Sequence, residues 1–177
     1  MNLASMNYRL SPSIQHPLHQ EDVIAALHYL IRKYEMKQFI LIGHSAGACL
    51  AFQSAHVPGC KGVIGVEGVY DLEELLKEYP KYTDIVEGAF GTDNAIWHEA
   101  SPTRLVHDLP MLTVQLVQST EDELLSARQT ELMSSSLEAT KLNVRDVAWI
   151  KSSHDDALST PEFFAVVNNF IQTILDA

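Results

Sequence analysis

Apolar positions along the chain follow two spacings, one typical of helices and one typical of buried strands. Between Gln20 and Tyr34 they recur every three or four residues, with acidic residues in the first turn, which predicts an amphipathic helix. Runs rich in Val, Ile and Leu predict strands covered on both faces, at 38–42, 61–68, 112–117 and 144–150. Helical patterns between and after these strands predict helices that end near residue 56 and cover 123–137 and 161–175.

This alternation of strand and helix predicts an α/β fold with a mostly parallel sheet flanked by helices. Residues 71–109 interrupt it, because prolines and glycines break them into short pieces rich in aromatic residues. We expect one domain over residues 1–177, with 71–109 as an insertion over the carboxyl edge of the sheet. Residues 3–8 form a further short run, before a loop punctuated by Pro12 and Pro17.

Composition narrows the class of protein. A chain of 177 residues that is 46% hydrophobic can bury a core, and its formal net charge of −11 disfavours nucleic acid or an anionic membrane as a partner. We predict neither a membrane span nor a secretory signal, and therefore expect a cytoplasmic protein. Cys49 and Cys60 lack metal-site spacing, and we expect Cys49 to be a reduced structural thiol.

The stretch Gly43-His44-Ser45-Ala46-Gly47 lies between a predicted strand and a small-residue run that can continue as a helix. This pattern is typical of a sharp turn that exposes a nucleophilic serine, with little room for side chains at the two glycines. The Ala46 N–H would then face an oxyanion from the first helical turn. The alternative is a plain tight turn. We interpret His44 as a packing residue, because its side chain should point away from the hydroxyl.

A nucleophilic serine needs a base, and the base needs a carboxylate. In folds with this turn the chain order is serine, acid, histidine, which selects His154, after the strand at 144–150. The acid should follow the preceding strand, where Asp122 is preferred over Glu121 and Glu123 because of its short side chain. The alternative for His154 is a solvated surface histidine, and Glu121 or Glu123 would be a charge at the N-terminus of a helix. Asp155 and Asp156 are interpreted as loop charges or a helix cap.

With these residues assigned, the chain resembles α/β-hydrolases of the branch shared by hormone-sensitive-lipase-type esterases and kynurenine formamidases. Three stretches carry the resemblance: Asn7-Tyr8-Arg9-Leu10-Ser11-Pro12, the Ser45 motif, and Asp122-Glu123-Leu124-Leu125 with His154. Residues 68–80 and 122–130 are similar to fungal kynurenine formamidases in particular. The resemblance covers essentially the whole chain and implies that Ser45, Asp122 and His154 are nucleophile, acid and base.

The chain departs from this family in one respect. The family carries a His-Gly-Gly-x-Trp loop that supplies half of the oxyanion hole, and no His-Gly-Gly occurs here. The resemblance also implies that the first three strands of the sheet are missing. Residues 3–8 and 38–42 must then pair directly or leave two open edges. We therefore expect a truncated gene model or a fragment, a question that the genomic sequence upstream of Met1 would answer.

The reaction implied by the resemblance is hydrolysis of N-formyl-L-kynurenine to L-kynurenine and formate in tryptophan degradation, without a metal or cofactor. Tyr82, Phe90 and Trp97 could cover the aryl group, although aromatic residues at such spacing also build cores. Arg104 could bind the substrate carboxylate or form a surface salt bridge. The branch commonly forms homodimers. The alternatives are a short-chain carboxylesterase and a non-catalytic fragment that acts as a binding or dimerisation partner.

Overall fold

The computed structural model describes residues 2–176, which alternate between strands and helices over most of their length. The strands are parallel and short: β1 Phe39–His44, β2 Cys60–Val66, β3 Thr113–Ser119, β4 Asn143–Val144 and β5 Ala148–Ile150. The α-helices are α1 Leu18–Tyr34, α2 Ala46–Ser54, α3 Leu72–Glu78, α4 Thr83–Phe90, α5 Asn94–Ala100, α6 Pro102–Leu105, α7 Arg128–Glu138 and α8 Pro161–Leu175. Single 3₁₀ turns lie at Pro80–Tyr82, Val106–Asp108 and Ala157–Ser159.

The sheet brings the ends of three strands together. Its order is β1-β2-β3, and both β4 and β5 pair with β3. The register sets His44 beside Val66, Val66 beside Val117, and Ser119 beside Ile150. Because all strands run in the same direction, the loops that follow them emerge at one edge of the sheet.

Helices cover both faces of the sheet, which explains why β2 and β3 are almost continuously buried. On one face α1, α2 and α7 pack with residues such as Leu27, Phe52 and Met133. On the other face α8 packs Phe163 and Phe170 against the sheet. The predicted α/β fold with a mostly parallel sheet flanked by helices is confirmed.

The predicted insertion is a set of short helices, α3 to α6, with an apolar cluster of their own. Leu72, Leu75, Val86 and Trp97 form its centre, and Leu125 from the loop after β3 joins it. The insertion therefore packs on a loop at the carboxyl edge of the sheet.

Three predicted elements differ from the structure. Residues 3–8 contain no strand. At the end of this segment the Tyr8 ring lies 6.4 Å from the ring of His19 on α1, and Arg9 pairs with Asp22 of the same helix at 2.7 Å. The predicted strand 144–150 is two strands, β4 and β5, separated by a non-pairing segment. The helix predicted from residue 123 begins at Arg128, because the residues before it form a turn bonded to Asp122.

The outer edge of β1 is open among the described residues, which is the second of the two arrangements predicted for 3–8 and 38–42. Within residues 2–176, β1 pairs with β2 and with no other strand, and Ile42 on it is 42% exposed. None of the helices in this described part combines the length and apolar character that a membrane crossing needs.

Candidate active site

Ser45 occupies the turn between β1 and α2 in a conformation that few residues adopt. Its φ is 54° and its ψ is −122°, outside the regions that side chains favour. Backbone hydrogen bonds hold it there: its N–H donates to Val66 O at 2.9 Å, and its carbonyl accepts from Ala48 N at 3.0 Å. Such strain costs on the order of 1–3 kcal/mol and is found where a side chain must be presented to a substrate.

The two glycines that flank this turn differ in the space around them. A Cβ on Gly43 would overlap the backbone of Gly47, so the chain approaches itself too closely for any side chain. In contrast, a Cβ built on Gly47 would meet no atom within 4 Å among residues 2–176, apart from its chain neighbours and the backbone of its own helix. The prediction that space excludes side chains is therefore confirmed for Gly43 and wrong for Gly47.

Ala46 is the first residue of α2 and is exposed. The first N–H groups of a helix have no partner within it, and the helix dipole favours negative charge at this end. The Ala46 N–H therefore lies at a helix end that favours a negatively charged group.

His154 and Asp122 come together from loops that follow β5 and β3. The His154 Nδ1 lies 2.9 Å from Asp122 Oδ2, and the two side chains are 4% and 1% exposed. An ionised carboxylate can only accept, so this contact assigns the proton of the neutral ring to Nδ1. Nε2 then carries the lone pair that a general base uses.

The loop after β3 fixes the orientation of Asp122. Its Oδ1 accepts hydrogen bonds of 2.9 Å from the N–H groups of both Leu124 and Leu125. Glu123, which sequence assigned to a helix terminus, accepts from the His154 backbone N–H at 3.1 Å instead. The loop after β3 that carries Asp122, here the acid loop, and the loop after β5 that carries His154, here the base loop, are thus joined twice. One contact links the side chains of Asp122 and His154, and the other links the Glu123 side chain to the His154 backbone.

His44 lies against the His154 ring, with 4.5 Å between the ring centroids. Its Nε2 is 3.0 Å from the His154 carbonyl oxygen, which can only accept, so His44 donates from Nε2. No hydrogen bond joins the Ser45 hydroxyl to the His154 ring within residues 2–176. Hydrogen bonds between catalytic groups are often long until a substrate binds.

Glu67 is the site residue that sequence reasoning missed. It follows β2 directly, is fully buried, and has a positive φ of 45°. Its Oε2 lies 3.3 Å from His154 Nδ1 and 3.4 Å from His44 Nε2. An acidic residue among Val66 and Gly68, immediately after an apolar strand, was the signal that could have identified it.

These three residues are also of types that bind metal ions. Single ligand atoms of His44, Glu67 and His154 lie within 4.8 Å of one another. A metal ion there would take one ring nitrogen of His154, which would have to be free of its proton.

The three aromatic residues predicted to line a substrate pocket lie in the insertion. Trp97 is 9% exposed, belongs to the insertion's apolar cluster, and donates its indole N–H to Gly91 O at 2.8 Å. Phe90 packs on His16, with 5.2 Å between ring centroids. Tyr82 donates its hydroxyl to Leu124 O at 3.2 Å, next to the acid loop. Tyr82 is thus linked directly to a neighbour of Asp122.

Among the described residues, the remaining polar candidates take no part in the side-chain contacts of His154 given above. Arg104 is 4.0 Å from Asp71 and about half exposed, which fits the surface salt bridge. Asp155 and Asp156 are exposed, and the cap of α8 is Thr160 rather than either of them. Cys49 is a buried free thiol, and burial raises its pKa to about 12, as expected for a structural residue.

Known proteins with similar sequences include several fungal kynurenine formamidases. The chain is 39% identical to a kynurenine formamidase of Meyerozyma guilliermondii, over 78% of this chain and 60% of that relative. It is 31% identical to a kynurenine formamidase of Aspergillus versicolor, over 90% of this chain and 71% of that relative. The chain thus spans about three-fifths of the length of the Meyerozyma relative.

Solved structures show the same fold at low sequence identity. Esterase B of Lactobacillus rhamnosis superposes with a TM-score of 0.79 at 19% identity, over 96% of this chain and 64% of that chain. A sequence profile described as the α/β-hydrolase fold matches residues 1–158. The chain is therefore a member of the α/β-hydrolase fold family, in the group to which these fungal formamidases belong.

Proposed function

We propose that this chain carries the catalytic residues of a serine hydrolase that cleaves N-formyl-L-kynurenine to L-kynurenine and formate, a step of tryptophan degradation. The observation that carries the proposal is the 2.9 Å contact between His154 Nδ1 and Asp122 Oδ2 at the sheet edge that also bears the strained Ser45. The fungal relatives named kynurenine formamidase supply the substrate class.

In the proposed mechanism Ser45 Oγ attacks the formyl carbon while His154 Nε2 accepts the hydroxyl proton. Asp122 holds the Nδ1 proton and stabilises the imidazolium that forms. The Ala46 N–H donates to the oxyanion of the tetrahedral intermediate. His154 then protonates the aniline nitrogen, which leaves as L-kynurenine. The remaining formyl-serine is hydrolysed by a water molecule that His154 deprotonates, and formate is released.

The aryl side of the substrate belongs beside the insertion. Tyr82 is half-buried and linked to Leu124 two residues beyond Asp122, so its ring is the best placed of the three predicted aromatic residues to meet an aryl group. Phe90 and Trp97 support the insertion from within, and we assign them an indirect contribution to the pocket. Two buried free thiols and a net charge of −11 are in keeping with a cytoplasmic enzyme that acts on a small molecule.

The experiment compares the turnover of two acyl substrates by the 177-residue chain. Release of L-kynurenine from N-formyl-L-kynurenine is measured beside hydrolysis of p-nitrophenyl acetate, with Ser45→Ala as the control for both. We expect a higher kcat/KM for the formamide and no turnover by Ser45→Ala. Equal or better turnover of the ester would favour a short-chain carboxylesterase. A chain that unfolds cooperatively but turns over neither substrate would indicate a non-catalytic binding role.

A further inference from the structure

Two carboxylates converge on one nitrogen of the His154 ring. Asp122 Oδ2 lies 2.9 Å from Nδ1, and Glu67 Oε2 lies 3.3 Å from the same atom. The mechanism above uses only Asp122, although Glu67 is fully buried. A buried carboxylate is costly unless it meets donors or positive charge, so its presence beside this ring needs an explanation.

Glu67 is held firmly in this position by β3. Its backbone N–H donates to Val117 O at 2.9 Å, and its Oε1 accepts from Ser119 N at 3.1 Å. Its φ of 45° is strained for a residue with a side chain, and such strain persists only where surrounding contacts impose it. With Oε1 engaged, Oε2 is the oxygen left to face the two histidine rings.

His44 connects the same oxygen to the serine turn. Its Nε2 lies 3.4 Å from Glu67 Oε2 and 3.0 Å from the His154 carbonyl oxygen, so its single proton is directed between two acceptors. His44 is the residue before Ser45. Glu67 therefore lies where the serine turn and the base loop meet.

We propose that Glu67 is a second carboxylate partner of His154, a positioning residue that shares with Asp122 the orientation of the ring and the stabilisation of its imidazolium. The ring offers one proton at Nδ1. Asp122 accepts it at the shorter distance, and Glu67 contributes its charge and becomes the acceptor when Asp122 is removed. This inference rests on the proposed role of His154 as the base.

The proposal predicts that the two carboxylates partly replace each other. In a serine hydrolase with one acid, its loss costs about 10⁴ in turnover. Here we expect a loss of about 10² for Asp122→Ala and about threefold for Glu67→Gln, but about 10⁴ when the two are combined. The effect of Glu67→Gln thus becomes roughly thirtyfold larger once Asp122 is absent.

The kinetic test uses the 177-residue chain and a fluorophosphonate that reacts with Ser45, so it is independent of the acyl substrate. Rate constants are compared for the wild type, Asp122→Ala, Glu67→Gln and the double variant. Asp122→Asn, which keeps an oxygen for the Leu124 and Leu125 N–H groups, replaces Asp122→Ala if that variant does not fold. Asp155→Asn is the matched control, an exposed carboxylate beside His154.

A spectroscopic test separates positioning from simple support of the fold. With ¹⁵N-labelled histidine, the hydrogen-bonded Nδ1 proton of His154 should give a downfield ¹H resonance that survives in either single variant and disappears in the double variant. The proposal would be overturned if the resonance were lost in Asp122→Ala or Asp122→Asn alone. It would also be overturned if Glu67→Gln lowered the rate constant by the same factor with and without Asp122. If the wild-type chain does not react at Ser45, the proposed function fails, and the resonance still decides the role of Glu67.

Discussion

The hydroxyl of Tyr79 accepts a hydrogen bond of 2.9 Å from the N–H of Ser126 and so ties the insertion to the loop that carries Asp122. Tyr82 adds a second tie by donating to Leu124 O at 3.2 Å. The two tyrosine rings also lie against each other, with 5.6 Å between their centroids. The position of the acid therefore depends on the insertion as well as on β3.

Removal of the Tyr79 hydroxyl should disturb the acid loop without disturbing the sheet. We expect Tyr79→Phe to lower the free energy of unfolding by about 1 kcal/mol, the usual net value of one hydrogen bond. Turnover should fall by about two- to tenfold, because a less ordered loop positions Asp122 less well. Tyr29→Phe, at an exposed tyrosine on α1, is the control. Unchanged turnover in Tyr79→Phe would show that the insertion does not support the acid.

The glycines of the serine turn give a matched pair of variants. Gly43→Ala should abolish labelling of Ser45 and reduce soluble yield, because its Cβ would overlap the Gly47 backbone. Gly47→Ala should fold with stability within about 1 kcal/mol of the wild type or better, since alanine favours a helix over glycine by that amount. Urea unfolding and fluorophosphonate labelling measure both effects. Equal behaviour of the two variants would contradict the described geometry of the turn.

Gln129 on α7 ties the start of the insertion to the domain core. Its Oε1 accepts hydrogen bonds of 2.8 Å from the N–H groups of both Tyr70 and Asp71, and its Nε2 donates to Asp71 O. We expect Gln129→Ala to cost about 3 kcal/mol of unfolding free energy, because two buried N–H groups lose their acceptor. Gln38→Ala, at an exposed glutamine, should cost less than about 0.5 kcal/mol. Similar losses in the two variants would contradict this role.

Two histidines near the N-terminus should make the fold sensitive to mild acid. Burial lowers the pKa of His19, and burial with the nearby His19 lowers the pKa of His16. At mildly acidic pH the folded chain then binds fewer protons than the unfolded chain. The stability that depends on these two histidines being neutral is therefore fully present above their unfolded pKa of about 6.5, and it is lost as the pH falls through their pKa values in the folded chain. Urea unfolding at about pH 7.5 and about pH 5 should show this loss.

The variant His19→Gln tests the source of that pH dependence. It should flatten the dependence of the unfolding free energy on pH, whereas His28→Gln, at an exposed position on the same helix, should leave it as in the wild type. A slope that is equally steep in His19→Gln would assign the acid sensitivity to other groups.

Local patterns predicted those parts of the fold that local interactions determine. The serine turn was predictable because Gly43 and a positive φ at Ser45 are requirements of a few adjacent residues. Helix α8 matched its prediction from 161 to 175 because Thr160, Pro161 and a long apolar stripe define it locally. His154 could be chosen from the order of the strands and Asp122 from that order and its short side chain, and the two side chains do meet.

Two features of the site were not predicted from such patterns. A helix was predicted to begin at residue 123, soon after β3. Instead, Asp122 accepts hydrogen bonds from the N–H groups of Leu124 and Leu125, and α7 begins at Arg128. The burial of Glu67 follows from its fit between β1, β3 and the base loop, segments up to about 110 residues apart, such as His44 and His154. The position of Glu67 after an apolar strand could have marked it as a candidate, but the sequence does not show which side chains would surround it.

The most direct test of the account is whether Ser45 is a nucleophile that depends on His154. The 177-residue chain is incubated with a fluorophosphonate, and the modified peptide is identified by mass spectrometry in the wild type, Ser45→Ala and His154→Gln. The account predicts one adduct, on Ser45, in the wild type and none in either variant. An unmodified wild-type Ser45, or modification of His154→Gln at the wild-type rate, would contradict it.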